Sequence, residues 1–144
     1  PTRMQTVVAT TKLHHLESVR PVILDATQQL PFRPETFDRV LVDAPCSGTG
    51  TLRRNPEIRW RLTPDDIPAL AEQQKRILRN AIEMVKPGGR LVYSTCSVER
   101  EENEEVIREV PEPFRLINAI RTWPHREGSD GFFVAVFEAA DFRS

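Results

Sequence analysis

The chain carries two cysteines, Cys46 and Cys96, fifty positions apart. Each follows an apolar stretch and opens onto a polar loop: Val40-Leu41-Val42-Asp43-Ala44-Pro45-Cys46-Ser47-Gly48-Thr49-Gly50, and Leu91-Val92-Tyr93-Ser94-Thr95-Cys96-Ser97. A thiol in such a place is a small buried hydrophobe, a nucleophile or half of a redox pair. Residue type leaves all three open, and position favours function. Cys96 directly precedes an expected helix N-terminus, whose partial positive charge lowers a thiol's pKa, while Glu99 and Glu101 act the other way. The chain has no Cys-X-X-Cys spacing, which weighs against a redox pair.

Other chemistry-bearing residues surround these two loops. Asp43 stands at a strand end, where a carboxylate either caps a turn or hydrogen-bonds a reacting group. Gly48-Thr49-Gly50 lacks the spacing and the lysine of a phosphate-binding loop and reads as a tight turn. His14 and His15, with two distant cysteines, lack metal-ligand spacing, and no metal is expected. Asn103 and its neighbouring glutamates read as a solvated helix face. Arg53, Arg54, Arg59 and Arg61, with Trp60 among them, are either a basic surface loop or a nucleic-acid contact. Their place just after the first cysteine loop favours RNA.

Elements must bring these loops together. Strands are expected over Thr6–Ala9, Pro21–Asp25, Arg39–Asp43, Arg90–Thr95 and Phe132–Glu138, each rich in Val, Ile, Leu or Phe. Several are continuous apolar runs, the pattern of parallel strands covered on both faces. Leu70, Ile77, Leu78, Ala81 and Val85 recur at helical spacing over Pro68–Val85, and Lys86-Pro87-Gly88-Gly89 ends that helix. A second helix is expected after Ser97 as N-cap, with Val106, Ile107 and Val110 buried. Strand and helix alternate, which predicts an open α/β sheet with right-handed crossovers and its ligands at the strands' carboxyl ends. Two parallel strands joined by one crossover then place both cysteines at the same edge.

Composition bounds the rest. The 144 residues (16.5 kDa) suit one domain, and 39% apolar with 28% charged residues excludes the disordered class. Lys plus Arg is 20 against 21 Asp plus Glu, so any nucleic acid must be met by a local patch rather than a basic whole. No membrane span, signal pattern, repeat or Pro-rich linker is visible, and a soluble cytoplasmic protein is expected. The sequence starts at Pro1 in apparently folded text, which suggests a processed chain or a piece of a longer one.

At Asp43-Ala-Pro-Cys46-Ser-Gly-Thr-Gly50, at Arg53-Arg54-Asn-Pro56-Glu-Ile-Arg-Trp60, and at Tyr93-Ser-Thr-Cys96-Ser97 with Glu101-Glu102-Asn103, the chain resembles the Nop/Sun (Fmu/Sun) family of RNA cytosine-5 methyltransferases. The resemblance runs from Asp25 to Glu138. It implies a Rossmann-like, S-adenosylmethionine-dependent methyltransferase fold with a mostly parallel sheet. It also implies that Cys96 is the nucleophile adding to carbon 6 of cytosine and that Cys46 assists release of the methylated product. By the same resemblance Asp43 contacts the cytosine ring near the cofactor, and Asp25 binds the cofactor's adenosine part. Arg53, Arg54 and Arg59, with Trp60, would then hold the RNA, and the target base must swing out of its stack. Ribosomal RNA is the favoured substrate and transfer RNA the alternative; no obligate protein partner is implied.

Against the family pattern, a glycine-rich cofactor loop of Pro-Gly-Gly-Lys type belongs before Thr6 and is absent. Thr6–Ala9 reads as the family's second strand, with Thr10 and Thr11 where an acid would grip the ribose hydroxyls, and Lys12–Arg20 is short for the expected helix. Residues 1–144 are therefore expected to be one partial catalytic domain, truncated at its N-terminus. The competing expectation is a non-catalytic RNA-binding module that keeps the methyltransferase fold.

Overall fold

The computed structural model describes residues 2–141; Pro1 and residues 142–144, which the single-domain reading includes, lie outside the described residues. The elements are α1 (Thr2–Leu13), β1 (Phe37–Asp43), α2 (Ile58–Arg61), α3 (Asp66–Glu83), β2 (Val85–Thr95), α4 (Glu104–Ile107), β3 (Phe114–Arg121), α5 (Pro124–Glu127) and β4 (Phe133–Ala139). The strands form one sheet in the order β1-β2-β4-β3.

The parallel pair is β1 with β2, joined through α3 as a crossover. In α3 the buried side chains are Ala71, Gln74, Leu78 and Ala81, one stripe at helical spacing laid on the sheet. At its start Thr63 donates both its N–H and its hydroxyl to the Asp66 carboxylate, at 2.7 and 2.8 Å, so the first turn is capped from outside. Lys86-Pro87-Gly88-Gly89 does follow the helix end, but it is also the bulged start of β2. The register slips there between Phe37 and Arg39, and Gly88 takes a φ of 72°.

The other two pairings are antiparallel: β2 with β4, and β4 with β3. The fold is α/β, but its sheet is mixed, and the expectation of a mostly parallel sheet is corrected. The cause is β3, which no apolar run announces. Phe-Arg-Leu-Ile-Asn-Ala-Ile-Arg is an edge strand with six exposed central residues, and Asn118 with the arginines breaks its apolar residues into short pieces. From β3 the chain returns through α5 into β4, which inserts beside β2. In β4, Phe133, Ala135, Phe137 and Ala139 are buried in strict alternation and close the core with Leu78, Leu91 and Tyr93.

Two expected strands fail. Thr6–Ala9 lies inside α1, so Thr10 and Thr11 are helical and not the end of a second strand. A four-residue apolar run does not separate strand from helix; here the Thr11 hydroxyl bonds back to the Val8 carbonyl at 2.9 Å, a contact within a helical turn. Pro21–Asp25 forms no strand among the described residues, and Val22 and Ile23 are exposed.

Candidate active site

Both cysteine loops leave the sheet at the carboxyl ends of the parallel pair. Asp43 ends β1 in register with Ser94, and the next residue extends the ladder through Ala44 N–H to the Ser94 carbonyl at 2.9 Å. Cys96 follows β2 directly. The two sulfurs stand 3.4 Å apart as free thiols, both half-buried.

Their electrostatics are unequal. A hydrogen bond from Cys46 holds Cys96 below the usual thiol value, at about 7, against burial and the carboxylates of Asp43 and Glu102, which push it up. The same hydrogen bond, with burial, drives Cys46 strongly upward. The expected helix N-terminus is not the cause, because α4 begins only at Glu104 and Ser97 is not its cap. Instead the Ser97 hydroxyl accepts from Glu99 N–H at 3.0 Å and donates to Glu102. Cys96 is the more acidic of the two thiols, and Cys46 the one that keeps its proton.

The acidic stretch after Cys96 corrects a second expectation. Glu102 and Asn103 are fully buried and form no solvated face. The Glu102 carboxylate accepts from Ser47 N–H (2.8 Å), the Ser47 hydroxyl (2.5 Å), the Ser97 hydroxyl (2.5 Å) and Gln74 Nε2 (2.9 Å). Tyr93 donates its hydroxyl to the Glu102 carbonyl at 2.7 Å, and Thr95 to Asn103 Oδ1 at 2.6 Å. Asn103 Nδ2 then donates to the Ser97 carbonyl at 2.9 Å. Sequence reasoning missed this network; the available signal was the pair of serines, one directly after each cysteine.

Gly50 supplies a third join. Its N–H donates to the Cys96 carbonyl at 3.0 Å, and its own carbonyl accepts from Gly131 N–H at 2.8 Å. Gly48, with a φ of 76°, makes the turn that the spacing suggests, whereas Gly50 is required by close approach of backbones.

The basic cluster divides. Arg54 pairs with the buried Asp130 at 3.0 Å, and Arg53 donates to the Gly128 carbonyl at 3.1 Å, so these two hold the loop before β4. Arg59 and Trp60 sit on the four-residue α2, where Trp60 is 84% exposed.

Asp43 is exposed, accepts from the Ser94 hydroxyl at 3.3 Å, and borders a cavity of roughly 340 Å3. Leu24, Ala26, Phe37, Leu41 and Pro45 line it with Asp43, leaving an apolar slot with a carboxylate at its rim. Asp25 lies between two of the lining residues and is ordered by the Thr27 hydroxyl and N–H, which hold its carboxyl below the usual range. An apolar slot with the Asp43 carboxylate on its lining suits a flat heterocycle bearing N–H donors. The adenosine end of S-adenosylmethionine is such a group.

The sequence profile of the family described as 16S rRNA methyltransferase RsmB/F matches residues 1–113. The chain is 44% identical over 123 residues to a probable ribosomal RNA small subunit methyltransferase B of Bacillus subtilis, covering 72% of this chain and 28% of that protein. It is 45% identical over 111 residues to ribosomal RNA small subunit methyltransferase B of Vibrio cholerae, covering 71% and 26%. Among solved structures, PH0851 superposes with a TM-score of 0.90 at 38% identity over 95% of this chain and 34% of that one. NSun6 from Pyrococcus horikoshii, solved with SFG, gives 0.86 at 26% identity over 97% and 39%. The chain thus spans about a quarter to two fifths of the proteins it matches. By the profile match and these identities, it belongs to the RsmB/F (Nop/Sun) family of RNA cytosine-5 methyltransferases.

Proposed function

We propose that this chain is the thiol-bearing part of an S-adenosylmethionine-dependent ribosomal RNA cytosine-5 methyltransferase domain, with Cys96 as its nucleophile. The observation that carries this reading is the pair of sulfurs at 3.4 Å with Cys96 held near neutrality. Carbon 5 of cytosine is a weak nucleophile. Addition of the Cys96 thiolate to carbon 6 moves the ring's double-bond electrons onto carbon 5, which then has the pair needed to accept a methyl group. S-adenosylmethionine, held by Asp25, Asp43 and the apolar slot, supplies that methyl group when bound.

Elimination closes the cycle: a base takes the carbon 5 proton, the double bond re-forms, and the Cys96 sulfur leaves as thiolate. Cys46, in van der Waals reach of that sulfur, assists this release. Its hydrogen bond stabilises the departing thiolate as it stabilises the resting one. Asp43, at the end of β1 beside the same loop, is the acceptor for the cytosine amino edge. The exposed Trp60 offers a stacking face, and Arg59 with Arg53 and Arg54 offers cations to the RNA backbone. Small-subunit ribosomal RNA is favoured because the relatives above are named for it; transfer RNA is the alternative.

The test is RNA carrying 5-fluorocytosine, presented to the full-length protein with the methyl donor. Fluorine cannot leave as a proton does, so a covalent adduct accumulates, and peptide mapping is expected to place it on Cys96. Cys96→Ser abolishes the adduct, and Cys46→Ser leaves unsubstituted RNA trapped on Cys96. An adduct that survives Cys96→Ser overturns the assignment. A protein that binds RNA equally with and without Cys96 and never transfers methyl is instead the non-catalytic module.

A further inference from the structure

We propose that Glu102 is a positioning residue that fixes the separation of the two thiols by tying the Cys46 loop to the Cys96 loop; its consequence for turnover rests on the reading above. The carboxylate is fully buried, and its four donors come from three elements. Ser47, next to Cys46, gives its N–H and hydroxyl; Ser97, next to Cys96, gives its hydroxyl; Gln74 of α3 gives an amide N–H. One anion therefore holds the residue after each sulfur. Its own backbone is pinned from β2 by the Tyr93 hydroxyl.

No cation lies within ion-pair distance of Glu102 among the described residues. A buried charge held by hydrogen bonds alone is a costly way to fill space, and an apolar side chain would fill it more cheaply. Directional bonds to two loops are what the carboxylate adds. With two donors on each oxygen, it is no proton acceptor for substrate.

Charge and position predict opposite outcomes. The groups facing Cys96 are Cys46 from the β1 loop, Asp43 from the end of β1 and Glu102 from the turn before α4; the Tyr93 hydroxyl of β2 faces Cys46 and Glu102. Glu102→Gln removes the charge yet keeps a bridge, since its oxygen still accepts from Ser47 N–H and Gln74 while its amide donates to the two serine hydroxyls. Removing a negative charge alone makes the Cys96 thiol more acidic. Glu102→Ala removes charge and bridge together, so Cys46 no longer holds its hydrogen bond and Cys96 becomes less acidic.

The experiment is iodoacetamide alkylation of the full-length protein against pH, each thiol mapped by mass spectrometry. Glu102→Ala is expected to slow Cys96 alkylation at pH 7 on the order of tenfold, through loss of thiolate. Glu102→Gln is expected not to slow it. Equal shifts in one direction for both variants overturn the proposal in favour of a purely electrostatic role. Should Glu102→Ala fail to fold, the Ser47→Ala, Ser97→Ala double variant keeps the charge and removes both hydroxyl ties. It is expected to slow Cys96 alkylation likewise, and an unchanged rate overturns the proposal. Alkylation needs neither RNA nor methyl donor. A native protein that never transfers methyl defeats the functional reading while the contrast between variants stands.

Discussion

Replacing Gly50 by alanine tests whether three backbones meet at the site as described. A Cβ there would lie 2.1 Å from the Gly131 carbonyl oxygen, 2.7 Å from its carbon and 2.8 Å from the Cys96 oxygen. All three neighbours are backbone, so no side chain can swing away, and the loops must part. Parting them breaks Gly50 N–H to Cys96 and Gly131 N–H to Gly50, each worth roughly 1 kcal/mol. Overpacking adds about 1–3 kcal/mol, and alanine's smaller unfolded-state entropy returns roughly 0.4–1 kcal/mol. The expected loss is about 3 kcal/mol, a large share of a typical stability of roughly 5–15 kcal/mol. Gly128→Ala is the control: its φ is 64° with nothing within 4 Å, so it carries only the left-handed penalty of about 1–2 kcal/mol. Urea unfolding of both variants, at an unchanged slope, reads the difference. If Gly50→Ala is no less stable than Gly128→Ala, the loops do not meet at Gly50.

Trp60→Ala is expected to leave stability within about 0.5 kcal/mol, because the ring is 84% exposed, and to weaken RNA binding by about 1–3 kcal/mol in a filter-binding titration; a large loss of stability with unchanged affinity would show a packing residue instead. Tyr93 is the chain's one tyrosine, and burial first, then the charges of Glu102 and Cys46, push its ionisation upward. Its folded pKa therefore exceeds the unfolded value of about 10, so this linkage leaves stability untouched below that pH and removes it above. Phenolate absorbance should appear only together with alkaline unfolding, and a reversible titration of the folded protein near the ordinary value contradicts the buried hydroxyl. Alkylation of Cys96 should be half-maximal near pH 7, with Cys46 unreactive there; two thiols titrating together near 9 refute the hydrogen-bonded pair.

What the sequence made legible follows from how strongly each segment is constrained. β4 and the end of β2 bury every second residue, β1 keeps the apolar run Val40-Leu41-Val42 with Val42 in the core, and α3 keeps a stripe against them, so all four announce themselves. The convergence of Cys46 and Cys96 follows from that much, because one crossover between parallel neighbours leaves both loops at one edge. α1 was hidden because most of its residues are exposed, and β3 because Asn118 and two arginines interrupt its apolar residues at an exposed edge. Glu102 was hidden for the opposite reason. In Arg100-Glu101-Glu102-Asn103-Glu104-Glu105 the charges alternate between inside and outside without a period, and a run of acids reads as solvated unless the partners, Ser47, Ser97 and Gln74, are seen to converge.

The strand direction that the sequence did not reveal is also what completes the site. Antiparallel pairing sets Phe133, the first residue of β4, opposite Thr95, the last of β2. Residues just before β4 therefore lie beside residues just after β2. That is why Gly131 reaches Gly50, and why Asp130 is there to take Arg54. A parallel β4 would present Ala139 at that edge and leave the Gly50 turn without its second hydrogen bond. It would also leave Arg53 and Arg54 without the loop they grip. Two arginines that adjoin Arg59 and Trp60 in sequence thereby gain an anchor on the loop before β4, while their side chains stay largely exposed, as Arg59 and Trp60 of α2 are. The anchoring of half of the basic cluster is thus a consequence of topology, settled by the direction of one strand.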